Sequence, residues 1–377
     1  MTTFTKEFNA YYPNGKLFTF WKGRVALYCF LKSLNLSTGD EVILPALTCV
    51  VVPNAIIYAG LKPIYIDIEP DSFNMDPKKI KEKITSKTRV VIMQNTFGLS
   101  SNVEDVIAIA KQHDLITIDD CTHGFGGHYK GKPNGSLADV AFYSSQWNKP
   151  FSTVIGGYLV INNPKYVANV KNEYQSYNMP TIGQNLKILI LFYIKKYALF
   201  PKTYWVLIRL YRWLSKKNLI MGSSQGSEIS SIIKPANYEM QMGWGQQKIG
   251  TRQIKQLSNT LKLRQKNAKQ FTNWLEANGK ISVKSQYHQN HSWLKYPIRV
   301  LNRAEFIKRA ASSNIMLGDW FVSPIHPVKS NWTLWHYQAG TCEHAEKAAK
   351  ELVNLPMDVL NTKPLLNFLE ENQDMIC

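Results

Sequence analysis

The chain is expected to fold as an α/β protein built on a mainly parallel sheet sandwiched by helices, with a smaller α/β domain toward its C-terminal end. Three observations carry that expectation. Short, nearly continuous apolar and β-branched runs recur up to residue 161, as strands buried on both faces do. Helical periodicity fills the intervals between them, which is the alternation of a sheet whose parallel strands are joined by helical crossovers. The third is size: 377 residues, 45% hydrophobic and 12% aromatic, suffice for about two domains with a substantial core and exclude a chain disordered as a whole.

Residues 24–35 (RVALYCFLKSLN) have the periodicity of a helix, and residues 41–47 (EVILPAL) read as a buried strand. Further strands are expected at 62–68 (KPIYIDI), 89–95 (RVVIMQN), 115–121 (LITIDDC), 140–145 (VAFYSS) and 156–161 (GGYLVI), with a helix near 103–113. In such sheets the loops at the carboxyl ends of the strands build the ligand site. Residues 185–217 change character, holding eight Lys or Arg and no acid around the apolar run ILILFYI at 188–194. Past Pro201, helical spacing puts Lys202, Arg209, Arg212 and Lys216 on one face, opposite Tyr204, Val206, Leu207, Leu210 and Leu214. Two readings stand: a helical hairpin packed on the core or at a subunit interface, or a segment lying on an anionic bilayer with Trp205 and Trp213 at headgroup depth. Residues 223–231, rich in Ser and Gly, read as a flexible loop. A long helix is expected from Gly245 to about Asn278, followed by ISVKS (281–285), KYPIRVL (295–301) and a helix at 303–313. The expected division is therefore 1–244, with 185–217 as an insertion, and 245–377.

A formal charge of +18, from 45 Lys and Arg against 27 Asp and Glu, calls for an anionic partner: nucleic acid, a phosphorylated small molecule or an acidic membrane surface. Nucleic acid lacks support, since no helix-turn-helix, RNP or zinc pattern is present. The five cysteines, Cys29, Cys49, Cys121, Cys342 and Cys377, are widely spaced, which suggests neither a disulfide framework nor a metal site. The first twenty residues lack the pattern of a secretory signal, and no stretch reaches the roughly 18 apolar residues of a spanning helix. A cytoplasmic location is the expectation.

Four loop segments carry chemistry. Lys22, Gly23 and Arg24 open a helix, where free N–H groups and a close backbone approach suit a phosphate; a plain helix cap explains them equally. Asp119 and Asp120 end a buried strand, where a carboxylate is costly unless it meets a cation such as a protonated pyridine nitrogen. Lys149 follows the strand ending at Ser144 and Ser145, a place where an amine can be desolvated and kept partly neutral as a nucleophile toward an aldehyde. Gly156 and Gly157 let backbone pass close to a neighbouring group.

Together these segments resemble the fold-type-I pyridoxal-phosphate enzymes, and most of all the DegT/DnrJ/EryC1/StrS family of sugar aminotransferases. The resemblance runs through residues 39–98 (GDEVILPALTCVVVPNAIIYAG…QNTFG), 119–157 (DDCTHGFGGHYKGKPNGSLADVAFYSSQWNKPFSTVIGG) and 337–357 (YQAGTCEHAEKAAKELVNLPM). It implies that Lys149 carries the pyridoxal 5′-phosphate and shuttles the proton, that Asp120 holds the pyridinium proton, and that His123 hydrogen-bonds the phenolic oxygen. By the same resemblance Ser144 and the helix start at Gly23, Arg24 and Val25 bind the phosphate, with Arg24 where the family more often has Thr, and Thr122 sits under the ring. Cys49 stands where an aromatic residue commonly lies against the cofactor. The family's Asn-Tyr-Arg motif, which lends a phosphate ligand to the neighbouring subunit, is broken up here as NYEMQMGWGQQKIG (237–250), leaving Asn237 and Gln241 as candidates. Pro150 restricts the backbone of Lys149. The implied protein is a homodimeric aminotransferase that converts a keto group on a nucleotide-linked sugar to an amine, with a donor such as glutamate. A sugar dehydratase of the same fold and a degenerate, non-catalytic member remain as alternatives, although the dehydratase branch replaces the lysine with His.

Overall fold

A computed structural model of the chain describes residues 2–198, 226–284 and 290–377. Seven strands form the central sheet: β1 (Lys16–Phe20), β2 (Glu41–Pro45), β4 (Lys62–Ile66), β5 (Thr88–Gln94), β6 (Ile116–Asp120), β9 (Val140–Ser144) and β10 (Gly157–Ile161). Their spatial order is β1-β10-β9-β6-β5-β2-β4. From β4 to β9 all neighbours are parallel, and the β9–β10 and β10–β1 pairs are antiparallel. Between these lie β3 (Thr48–Cys49) and a small ribbon of β7 (His128–Tyr129) and β8 (Lys132–Pro133).

All six strands expected up to residue 161 are present, because each is a run of apolar residues covered on both faces; β2, β9 and β10 are buried at every position. The first strand, KLFTF, carries little signal in the sequence: it is a five-residue edge whose partner, β10, lies about 140 residues further on. Helices α1 (Thr3–Asn9), α2 (Gly23–Ser33), α3 (Val51–Tyr58), α4 (Val103–Gln112) and α5 (Val167–Gln175) fill the faces of the sheet. Every residue of α2 except Lys32 is buried, so this helix is a core element.

Helix α6 (Ile182–Ala198) has two faces. Ile188 is buried, and with Leu189, Leu191 and Phe192 it packs against Trp21, Val154, Ile155, Met240 and Ile249. The other face leaves Leu186 47%, Ile190 58% and Ile194 45% exposed. No helix among the described residues is long and apolar enough to cross a membrane. The basic face of Lys202, Arg209, Arg212 and Lys216, with Trp205 and Trp213, lies outside the described residues.

Beyond it the sequence reading needs three corrections. Within the Ser/Gly-rich stretch expected to be a loop, Gly226–Ser230 forms a helical turn, α7, fixed by a hydrogen bond from Asn54 Nδ2 to the Glu228 carbonyl at 2.7 Å. The expected single long helix is two, α8 (Trp244–Ile254) and α9 (Leu257–Ala277). A turn at Lys255 and Gln256 redirects the chain while keeping Ile254 and Leu257 in one apolar cluster with Phe4 and Phe8, and no local breaker residue marks it. Residues 281–284 join no strand; Ile281 N–H bonds the Cys377 carbonyl at 3.0 Å instead. The remaining elements are β11 (Tyr296–Arg299) antiparallel to β13 (Leu352–Leu355), with α10 (Arg303–Ser312), α11 (Glu343–Glu351) and α12 (Lys363–Glu371). One strand from this part, β12 (Ile325–His326), pairs in parallel with β3, setting His326 beside Cys49.

Candidate active site

The parallel strands all end at one edge of the sheet, and the chemistry-bearing residues gather there. Asp120 is the last residue of β6, in register with Gln94 on one side and Phe142 on the other. Its carboxylate is buried, with the Thr122 N–H donating to Oδ1 at 2.9 Å. Burial pushes its pKa up, and the nearby Lys149 ammonium opposes that. Alternation along the strand sends Asp119 to the opposite face, where Asn95 Nδ2 bonds its Oδ1 at 2.7 Å and burial raises it to about 7. The two carboxylates are thus separated by the sheet, and Asp120 is the one on the lysine's side.

Lys149 follows β9 in a loop whose turn is closed by its own N–H on the Gln146 carbonyl at 3.0 Å. Ser145 ties the other limb of this loop, through Thr153 Oγ1 at 2.5 Å and Tyr158 OH at 2.7 Å. Helix α6 backs the loop: Lys195 Nζ donates to the Trp147 carbonyl at 3.3 Å and lies 4.7 Å from that indole's centre. Burial pulls the Lys149 amine down to about 8, against the pull of Asp120. A lysine so placed is a usable base and nucleophile near neutral pH.

The start of α2 meets the end of β9. A Cβ built on Gly23 would come within 3.0 Å of Ser144 Cβ, and one on Gly157 would strike the Lys22 carbonyl oxygen at 2.2 Å. Only glycine lets these three segments touch. Lys22 caps α2 without a side-chain hydrogen bond, and burial, with the Arg24 charge beside it, lowers its pKa to about 8. The Val25 N–H bonds the Lys22 carbonyl at 3.1 Å, and the Val25 side chain is buried in the core. Arg24 forms a buried ion pair with Glu228 of α7. Burial opposes its charge, and the carboxylate more than offsets that, so its pKa is raised. Asn54 ties the same corner, accepting from Trp335 Nε1 at 2.7 Å.

His123 is buried, and its Nδ1 accepts the Phe97 N–H at 3.3 Å. Burial, then Lys149, Lys295 and His326, hold its pKa well below the usual 6.5; the ring is neutral and carries its proton on Nε2. Thr122 is half-buried beside Asp120, and Cys49 is half-buried, its thiol raised by burial among Arg24, Lys149 and Asp120. The structure therefore brings Gly23, Arg24, Cys49, Asp120, Thr122, His123, Ser144 and Lys149 to one place. It does not bring Asn237, which is exposed, or Gln241, whose Nε2 donates to the Tyr174 and Tyr177 carbonyls at 3.3 and 3.0 Å.

Sequence reasoning missed three residues that the C-terminal part contributes: Trp320, His326 and Lys295. The Trp320 ring centre is 4.8 Å from Lys149 Nζ. His326, pulled to about 4 by burial, and Lys295, lowered by burial, stand close enough to bias the titration of the central residues.

The residues present suit a pyridoxal phosphate. A buried carboxylate awaits a cation on the lysine's side of the sheet, and a glycine-lined helix start meets a serine at the other end. Those are the demands of a fold-type-I site. The profile of the DegT/DnrJ/EryC1/StrS aminotransferase family matches residues 1–186 and 212–364; the chain belongs to that family and is a pyridoxal-phosphate-dependent aminotransferase. Among curated relatives, the GDP-perosamine synthase of Escherichia coli O157:H7 is 38% identical over 141 residues, 37% of this chain and 39% of that enzyme. The spore coat polysaccharide biosynthesis protein SpsC of Bacillus subtilis is 24% identical over 361 residues, 94% of this chain and 83% of its own length. A similar solved structure is NtdA of Bacillus subtilis with bound PMP, at TM-score 0.72 and 21% identity, covering 98% of this chain and 77% of that one.

Proposed function

We propose that the enzyme transfers an amino group from an amino acid such as glutamate to a keto group on a nucleotide-linked sugar, as a homodimer in which 1–244 carries the cofactor and 245–377 covers it. The observation that carries this reading is Lys149 and Asp120 on one side of one sheet edge, the amine depressed and the carboxylate buried. When bound, pyridoxal phosphate supplies an electron sink beside the amino-bearing carbon. Asp120, oriented by the Thr122 N–H, holds the proton on the ring nitrogen. Ser144, the helix start at Gly23 and the Arg24 side chain hold the phosphate, and His123 Nε2–H donates to the phenolic oxygen. Lys149, freed by the donor, moves one proton from the substrate carbon and returns it on the far side of the reaction, which a group of pKa about 8 does in both directions near neutrality.

Asn237, on the surface, is available to a second subunit's phosphate, whereas Gln241 shapes its own segment. The positive charge suits a nucleotide diphosphate. Similarity to a GDP-perosamine synthase and a spore coat polysaccharide biosynthesis protein supports a sugar acceptor, and Lys149 speaks against the dehydratase alternative. We place the enzyme in the cytoplasm, and for residues 185–217 two readings stand, packing on the protein or at a subunit interface and peripheral contact with an anionic bilayer: the outward face of α6 is largely apolar, residues 182–198 hold no acid, and 187–211 fall outside the family match. Co-sedimentation with anionic vesicles, reversed by salt, checks that contact.

The decisive experiment is an absorbance spectrum of the purified protein followed by glutamate and a panel of keto-sugar nucleotides. Expected are a cofactor band, its loss on adding glutamate, and an aminated sugar. Absence of the band, or of any amination, overturns the reading.

A further inference from the structure

We propose that Trp320 is the platform against which the acceptor's sugar ring lies, so that this indole selects which keto sugars reach Lys149. The inference rests on the aminotransferase reading above and adds a residue to it. The indole sits at the centre of the site: its ring centre is 4.8 Å from Lys149 Nζ, 5.0 Å from the His123 imidazole at an interplanar angle of 35°, and 5.5 Å from the His326 ring. Its backbone is pinned. The Trp320 N–H donates to Oδ1 of buried Asn354 at 3.0 Å, and Arg303 bonds the carbonyls of both neighbours, Asp319 and, at 2.9 Å, Phe321. The residue is only half-buried, so part of its surface remains uncovered.

The distances allow the contact. A carbon that exchanges a proton with Lys149 Nζ must approach it to about 3.5 Å, and a six-membered ring bearing that carbon is then within reach of an indole centred 4.8 Å from the same nitrogen. The negative face of an aromatic ring attracts the positively polarised C–H groups that line one face of a sugar. Polar groups stand at the rim of this platform. His326 Nδ1 accepts the Val322 N–H at 3.2 Å, which leaves Nε2–H as a donor, and Lys295 is half-buried beside His123. An aromatic floor with donors around it suits a carbohydrate better than a purely apolar ligand.

The test is calorimetric titration of the cofactor-loaded protein with GDP-4-keto-6-deoxymannose and, separately, with GDP. The wild type should bind the sugar nucleotide more tightly than GDP. Trp320→Ala should weaken the sugar nucleotide about tenfold and leave GDP unchanged, and Trp320→Tyr should restore most of the difference. Equal weakening of both ligands, no weakening, or no preference for the sugar nucleotide in the wild type would overturn the proposal. Loss of the cofactor band on adding glutamate, measured in the same preparations, tests the aminotransferase reading independently of any acceptor.

Discussion

The edge where β6 and β9 end and the outward face of α6 are built on opposite terms. At the sheet edge nearly every polar atom has a partner: Asp120 is held by Thr122, Asp119 by Asn95, His123 by Phe97 and Arg24 by Glu228. On α6, Leu186, Ile190 and Ile194 face outward, the last two in a stretch the family profile passes over. The first region can tolerate little change because each buried charge depends on its neighbour. The second can change freely as far as the fold is concerned, and it is where this chain adds something of its own.

Variants at the interior edge should therefore have the larger effects. Lys149→Ala is expected to abolish turnover and any borohydride-reducible adduct while circular dichroism stays native; a reducible adduct in the variant would remove Lys149 from its role. Asp120→Asn keeps the shape but loses the charge that retains the ring proton, so single-turnover rates with glutamate should fall by roughly 100-fold or more, with weaker cofactor retention. A wild-type rate would shift the role to another carboxylate. The amine of Lys149, lowered to about 8, is mostly protonated at pH 7 and mostly neutral at pH 9. Capture of added pyridoxal phosphate by cofactor-free protein should accordingly rise about tenfold between those values and then level off; a flat profile would contradict the depressed pKa. The smallest effects belong to α6. Leu186→Gln and Ile190→Gln should leave thermal stability within about 0.5 kcal/mol and turnover in solution unchanged, whereas Ile188→Ala, on the inner face, should cost about 2–4 kcal/mol. If the two faces respond alike in denaturant titrations, the contrast drawn here fails.

What the sequence made legible follows the same division. Strands buried on both faces advertise themselves by composition, and the strand-end positions of Asp120, Ser144 and Lys149 follow once β6 and β9 are placed. Cys49, Thr122 and His123 came from likeness to a family, which also implied roles for Gly23 and Arg24. Trp320, His326, Lys295 and Glu228 left no local trace, because each reaches the site by tertiary folding from loops or short elements without periodicity. The break at Lys255 and Gln256 is of the same kind: helical propensity continues through it, and only packing on Phe4 and Phe8 decides where the chain turns.

The short parallel pairing of β3 with β12 has a consequence for the newly made chain. Cys49 and His326 are partners across 277 residues, the difference of their numbers. At a synthesis rate of 5–20 residues per second, the backbone of Thr48 and Cys49 waits roughly 14 to 55 s for its mate to leave the ribosome. Through that interval the sheet can assemble around β5 and β6, but the side that carries Trp320 and His326 is not yet there. Roughly the last seventh of the chain thus closes over a catalytic edge laid down much earlier, and a nascent protein halted before Trp320 would display Lys149 without that cover.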